Sequence, residues 1–210
     1  MRGGTTLWRL MRESPVGRIL VASLHQAISD ITPQRVGFYE VWLNSEGLRA
    51  GSIGLAPLYA VLSFLRQEGE AYDTITTRAG EYAADWLVES MGPFTRGAIR
   101  AAFPWLRARL LLRLADRLVR ASYRESRAVA RVRKGTARID LRTSIFCTVR
   151  EPVNHPLCGF YAAAFTRLLT HFGLPRRAHV VACRGTGEPG CVLTVVLTEV
   201  GPTRIESEVA

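Results

Sequence analysis

A glycine-rich turn with a cysteine at each end joins two valine-rich segments in the second half of the chain; it reads Cys183-Arg184-Gly185-Thr186-Gly187-Glu188-Pro189-Gly190-Cys191. The flanking segments, residues 178–184 and 191–200, predict the two strands of a closing hairpin. A hairpin brings its two ends back side by side. The thiols at its rims can therefore share a disulfide, a metal ion or a buried corner.

A third cysteine lies upstream, where an apolar helix is predicted over residues 157–172. If the start of this helix packs on the hairpin, Cys158, Cys183 and Cys191 can supply three ligands of a tetrahedral zinc ion. His155 is our candidate for the fourth ligand, because it precedes Cys158 by three residues at a turn. The alternative for His155 is a surface or capping histidine.

Two other residues fit the metal site less well. His179 precedes Cys183 by four residues on one predicted strand, a span of roughly 13 Å that prevents a shared ion unless a bulge intervenes. Cys147 falls on the apolar face of a strand predicted over residues 138–150. That position indicates a plain buried thiol.

The composition is typical of one globular domain. A chain of 210 residues, 48% hydrophobic and 22% charged, can bury a sizeable core. We expect an N-terminal extension with a helix over residues 1–30, a main domain over residues 31–200 and a loose tail over residues 201–210.

The sequence also bears on the compartment. The first fifteen residues lack an apolar stretch of secretory length, and no later segment approaches the roughly 18 apolar residues of a membrane span. We therefore expect a cytoplasmic protein without a transmembrane segment. Thiols stay reduced there, so the four cysteines are more consistent with core residues, metal ligands or reactive groups than with disulfides.

The first half has helical periodicity. Helices are predicted over residues 16–28, 54–68 and 71–91, with Gly92-Pro93 as a break after the last of them. Residues 35–43 fit either a helix or a strand, and the turn at residues 44–47 does not decide between them.

A formal net charge of +10 is concentrated in a series of arginines at steps of three and four. This spacing predicts one continuous stripe along a helix. Such a stripe is either a solvated outer face or a surface for an anionic partner such as nucleic acid or lipid. Its residues are Arg109, Arg113, Arg117, Arg120, Arg124, Arg127 and Arg131.

The cysteine turn, the segment His155-Pro156-Leu157-Cys158-Gly159-Phe160-Tyr161 and, less specifically, Ala79-Gly80-Glu81-Tyr82-Ala83-Ala84-Asp85-Trp86 resemble the 4-vinyl reductase domain family. The resemblance covers roughly residues 70–199. It implies an α+β fold with helices on a small antiparallel sheet, related to subunits of the eukaryotic transport-particle tethering complex and often dimeric. It also implies an apolar cavity for a small hydrophobic molecule.

The phenol-sensing relatives in this family bind zinc beneath the cavity. Their pattern is a cysteine that begins a helix, an acidic residue three places before a second cysteine, and a third cysteine after the loop. The resemblance carries these cysteines onto Cys158, Cys183 and Cys191. The acidic position falls on Val180, which cannot bind a metal. The chain thus departs from the family at one ligand.

The resemblance also suggests which aromatic side chains line the cavity, because they belong to the helices that the family packs over it. The alternative is that these residues are part of the core. The candidates are Trp86, Phe94, Trp105, Tyr123, Tyr161 and Phe165.

Three hypotheses for the function stay open. The first is a module that binds a hydrophobic or tetrapyrrole-like ligand, and the second is a subunit that assists vinyl reduction in bacteriochlorophyll synthesis. The Gly-x-Gly-x-x-Gly run that begins at Gly185 and Gly187 lies in a hairpin turn between two strands, which is the wrong context for a dinucleotide loop. The sequence also has no flavin fingerprint and no iron–sulfur cysteine run, so assistance fits better than catalysis by this chain alone. The third is a binder of nucleic acid or anionic lipid through the arginine stripe.

Overall fold

The computed structural model describes residues 16–43, 47, 53–149 and 151–197. These residues form a mixed fold of helices and one antiparallel sheet, which confirms the α+β class. The helices are α1 (Arg18–Ile31), α2 (Val36–Glu40), α3 (Leu55–Gln67), α4 (Glu70–Glu89), α5 (Pro93–Ala101), α6 (Pro104–Ser122) and α7 (Gly159–His171). The strands are β1 (Arg127–Arg133), β2 (Thr136–Arg142), β3 (Ala178–Ala182) and β4 (Cys191–Val196).

The sheet is built from two hairpins and has the strand order β1-β2-β4-β3, with every neighbouring pair antiparallel. The predicted closing hairpin is confirmed as β3 and β4. The first hairpin turns at Lys134 and Gly135, whose φ angles of 47° and 76° are those of a two-residue turn that matches the twist of the strands. Alternate residues of β2 (Ala137, Ile139 and Leu141) are buried, so one face of the sheet lies on the core.

The helices cover that buried face. α6 and α7 contact each other and the sheet, and α4 packs extensively against both α1 and α7. α4 and α7 approach closely at Gly80, where a Cβ atom would lie 2.2 Å from the carbonyl oxygen of Phe160. The side chains of α1 belong to the same hydrophobic core as those of α4, so the helix predicted in the extension is packed on the domain.

The second half of the chain corrects two predictions. The strand predicted over residues 138–150 ends at Arg142, and the chain continues into a short 3-10 helix over Ile145–Cys147. The arginine stripe is also divided: α6 ends at Ser122, and Arg127 and Arg131 lie on β1.

The first half resolves one alternative and adds one helix. Residues 35–43 contain the short helix α2 and no strand. Pro93 begins α5 instead of only ending the preceding helix. The predicted tail at residues 201–210 and most of the turn at residues 44–47 lie outside the described residues. In the part that is described, no helix is long and apolar enough to cross a membrane.

Candidate metal centre

The side chains of four cysteines converge at one end of the sheet. The sulfur atoms of Cys147, Cys158, Cys183 and Cys191 all lie within 4.8 Å of one another, and all four residues are buried. The Sγ of Cys147 lies 3.1 Å from that of Cys158 and 3.4 Å from those of Cys183 and Cys191. Tetrahedral zinc with Zn–S bonds of about 2.3 Å has S–S edges of about 3.8 Å. The cluster could therefore hold a metal ion after small side-chain shifts.

Three separate segments deliver these thiols. Cys147 ends the 3-10 helix after β2, and Cys158 is the residue immediately before α7. Cys183 follows β3, and Cys191 begins β4. The pairing of β3 with β4 has an irregular register between Val180 and Ala182, just before Cys183.

Close packing fixes the cysteine turn against the start of α7. A Cβ atom at Gly185 would lie 2.8 Å from Cδ1 of Leu157, the residue before Cys158. A side chain at position 185 would have to displace the side chain of Leu157, and glycine avoids this. The backbone N–H of Val153 also donates a hydrogen bond to the carbonyl oxygen of Gly185, with an N–O distance of 2.8 Å.

Backbone donors make the site favourable for thiolates. The N–H of Leu157 donates to Sγ of Cys183, and the N–H of Arg184 donates to Sγ of Cys191, each at 3.3 Å. Hydrogen bonds from Cys147 and Cys158, helped by these backbone donors, lower the pKa of Cys183 and of Cys191. Metals bind the thiolate form of cysteine, so these two sulfurs are prepared for coordination.

The pKa of Cys158 is shifted in the opposite direction from those of Cys183 and Cys191. Its hydrogen bonds to Cys147 and Cys183, together with burial, raise the pKa of Cys158. The hydroxyl of Ser144 lies 3.8 Å from the Sγ of Cys158 as a further polar neighbour. A bound cation would lower the pKa of Cys158 again, because its positive charge favours the thiolate.

His155 lies outside the group of four thiols. Its Nδ1 donates to Oδ1 of Asn154 at 3.0 Å, and its ring meets the edge of Tyr72 with 5.9 Å between ring centroids. Its Nε2 is buried and has no hydrogen-bond partner among the described residues. His179 is exposed on β3. The fourth member of the cluster is thus the sulfur of Cys147, whereas the sequence analysis predicted His155.

Sequence reasoning missed Cys147 for a specific reason. The apolar alternation of residues 138–149 continues past the end of β2, so the pattern predicts that Cys147 lies on the face of a strand. In the structure, Thr143 has a φ of 59° and turns the chain just before the 3-10 helix. The number of cysteines could have indicated Cys147, because a zinc site with three cysteine ligands needs a fourth ligand and the chain has four cysteines.

An apolar groove of about 600 Å³ lies beside the start of α6. Arg109 stands over the ring of Trp105 at this site, with 5.7 Å between the guanidinium carbon and the ring centroid. The lining residues are Pro104, Trp105, Ala108, Arg109, Val132, Gly135, Leu174 and Leu197. One arginine therefore accompanies an otherwise apolar lining.

The other aromatic residues that were predicted to line one cavity with Trp105 lie at separate places in the structure. Phe165 lines a separate cavity of about 10 Å³, which is no larger than a water site. Trp86 stacks on Tyr82 with 5.7 Å between ring centroids, and Phe94 is 92% exposed.

Two of the predicted cavity residues are tyrosines of the core. Tyr123 is buried and donates its hydroxyl to Glu125. The hydroxyl of Tyr161 is buried without a hydrogen-bond partner in the described part of the chain. Burial raises the pKa of Tyr161, because a phenolate would lie in apolar surroundings.

A search of protein-family models finds no match to this chain, and a search of curated proteins finds none either.

Proposed function

We propose that this chain is a small-molecule-binding protein of the 4-vinyl reductase domain type, with a structural zinc ion at the four cysteines and a hydrophobic or tetrapyrrole-like ligand in the groove beside α6. The observation that carries the proposal is the convergence of Cys147 with the three cysteines of the resemblance. The family pattern requires a fourth ligand that Val180 cannot supply, and a fourth thiol stands within the same cluster.

Zinc is the metal that this donor set favours. Four buried thiolates in a tetrahedral arrangement are typical of structural zinc sites, whereas magnesium and calcium prefer oxygen ligands. A closed set of four protein ligands leaves no position for a substrate or a reactive water. We therefore assign the ion a structural role, in which it joins the cysteine turn to the start of α7 and to the segment after β2.

The groove supports the ligand class. Its volume lies within the range of small-molecule sites, which are mostly apolar with a few polar groups that orient the ligand. Arg109 is suited to a carboxylate at the edge of the ligand, and Trp105 to an aromatic or conjugated ring. A hydrophobic molecule with an acidic substituent satisfies both residues.

The second candidate function is assistance in vinyl reduction. In that case the same groove would present the vinyl group to a partner that carries the reductant. In both functions, this chain alone binds the ligand without turnover. The resemblance implies that the chain assembles as a homodimer. Native mass spectrometry of protein from its own host would measure the mass of the ligand, the metal and the number of subunits together.

The test is equilibrium binding of divinyl chlorophyll precursors and simple aromatics, with and without reduced nicotinamide cofactor. We expect saturable binding in the micromolar range. Ala108→Trp fills the groove and should weaken binding at least about tenfold, since the ligand loses most of its buried area. Phe94→Ala is the matched control because Phe94 is an exposed candidate outside the groove lining.

Two results would contradict the proposal. Turnover of the vinyl group by the purified chain would refute a binding role without catalysis. Equal loss of affinity in Ala108→Trp and in Phe94→Ala would show that the ligand does not bind in the groove.

A further inference from the structure

Apolar side chains are exposed at the start of α6. Phe103 is 73% exposed and Trp105 is 63% exposed, and Leu106 next to them is exposed as well. Pro104 fixes the backbone at the first position of the helix, so these side chains are held at a defined place on the surface. Val132 is exposed across the groove from Trp105. Several large apolar side chains exposed so near one another mark an interaction surface.

The segment that carries the patch is rich in arginine. Residues 93–115 contain five arginines and no aspartate or glutamate; the arginines are Arg96, Arg100, Arg107, Arg109 and Arg113. Arg109 lies over the ring of Trp105 and Arg113 is exposed one helical turn further on. The next acidic residue is Asp116, which is paired with Arg120. The patch is therefore apolar at its centre and cationic at its border.

We propose that this patch, formed by Phe103, Trp105 and Leu106 with Arg109 and Arg113, docks on the surface of a lipid bilayer that contains anionic phospholipids. Tryptophan and phenylalanine side chains partition into the boundary between headgroups and acyl chains, and arginines bind the phosphate groups. The proposed attachment is peripheral, with the patch at the boundary of one leaflet.

The aliphatic side chains favour a bilayer over a nucleic acid. A single strand of DNA or RNA would stack its bases on Trp105 and Phe103 and bind the arginines. It would gain nothing from Leu106 or Val132, which provide no flat π-face. A bilayer gains from every apolar side chain of the patch, because each one removes apolar area from water.

Because the patch adjoins the groove, docking would also affect how a ligand enters, and this consequence rests on the proposed function. Trp105 and Arg109 belong to both the patch and the lining of the groove. Docking would turn the mouth of the groove towards the acyl chains. A hydrophobic ligand dissolved in the bilayer could then enter without crossing water.

Vesicle binding of the full chain tests the docking without any ligand. Sedimentation is measured with vesicles of phosphatidylcholine alone and of phosphatidylcholine mixed with phosphatidylglycerol. We expect binding only to the mixed vesicles, and a loss of at least about tenfold in the double variant Phe103→Ser/Leu106→Ser. Arg109→Gln and Arg113→Gln should each reduce binding about fivefold.

Control variants distinguish membrane docking by the patch from ligand binding in the groove. Val41 and Val181 are 71% and 55% exposed at other places on the chain, so Val41→Ser/Val181→Ser should bind the mixed vesicles like the unmodified protein. Phe103 and Leu106 do not line the groove, so their variant should keep its affinity for small ligands in detergent-free buffer. Ala108→Trp should show the opposite behaviour, with vesicle binding retained.

The unmodified protein provides a second measurement that does not depend on the folding of variants. Trp105 should enter the boundary of the bilayer, so phospholipids brominated near the headgroup should quench tryptophan fluorescence, and Trp105→Phe should remove most of the quenching. Failure of the mixed vesicles to bind or to quench would overturn the proposal. Tight binding of a single-stranded oligonucleotide in place of vesicles would also overturn it and assign the patch to nucleic acid.

Discussion

The residue that most changes the interpretation of this chain is Cys147. The chain has Val180 where the pattern of the resemblance has an acidic ligand, and the sulfur of Cys147 lies 3.1 Å from that of Cys158. Thiolate is a softer ligand than imidazole or carboxylate and is preferred by zinc in structural sites. The two candidates for the fourth ligand, Cys147 and His155, differ in chemistry and can be separated by substitution.

Substitution of Cys147 should weaken metal binding more than substitution of His155. Cys147→Ser replaces a thiolate in the cluster by a poor ligand, and we expect the affinity for zinc to fall by more than about 100-fold. His155→Ala should retain about one zinc per chain. Competition with a chromophoric chelator measures both variants. Loss of zinc in His155→Ala with retention in Cys147→Ser would reverse the assignment.

Asp85 is a second residue with a measurable consequence, because it joins α4 to α7. It accepts hydrogen bonds from Nε of Arg167 at 2.7 Å and from Nε2 of His171 at 2.5 Å. Burial opposes the charged form, but these two donors outweigh it and lower the pKa of Asp85.

The stability of the protein should depend on pH accordingly. A carboxylate whose pKa is lowered by folding stabilises the native state above its unfolded pKa of about 3.9, and this contribution disappears as the pH falls through the lowered value. Asp85→Asn should therefore unfold more easily than the unmodified chain near neutral pH, and the difference should shrink in acid. Urea denaturation at a series of pH values measures it. A difference that stays constant into strong acid would show that Asp85 acts by packing alone.

At the scale of the elements, the contact between α4 and α7 depends on Gly80. The Cβ atom of any other residue would meet the backbone of Phe160, which cannot move aside as a flexible side chain does. The two helices pack at short distance because this position carries no side chain.

Gly80→Ala should destabilise the protein by roughly 1–3 kcal/mol, the usual cost of overpacking a core. Gly97→Ala is the matched control, since a Cβ atom at Gly97 meets nothing within 4 Å on the exposed side of α5. It should be neutral or stabilise by up to about 1 kcal/mol, because alanine favours helix. Chemical denaturation compares the two. Equal effects of both substitutions would contradict the close approach of α4 and α7.

The same elements show what sequence could and could not predict. The amphipathic helices and the closing hairpin follow from periodicity and from a glycine-rich turn. The arginine spacing wrongly predicts that the helix continues past Ser122, because a spacing of four residues keeps side chains on one face of both a helix and a strand. Gly92-Pro93 predicts a break, and the structure adds that Pro93 begins α5, since proline is well suited to the first position of a helix.

At the scale of the whole molecule, the cysteine cluster lies where three segments meet. It joins the end of the first hairpin, the start of α7 and the turn of the second hairpin, which are distant in sequence. Periodicity alone does not predict such long-range convergence, whereas the spacing of the resemblance anticipated three of its four members. A metal at this point would link the sheet to α7 and so stabilise the junction on which the rest of the second half depends.

The proposed site holds one zinc ion bound by four sulfur atoms. X-ray absorption spectroscopy at the zinc edge, on freshly purified protein never exposed to a chelator, measures the ligands of that ion. We predict one zinc per chain with a shell of four sulfur atoms at about 2.3 Å and no nitrogen. Protein without a transition metal, or zinc with three sulfur atoms and one nitrogen, would contradict this claim.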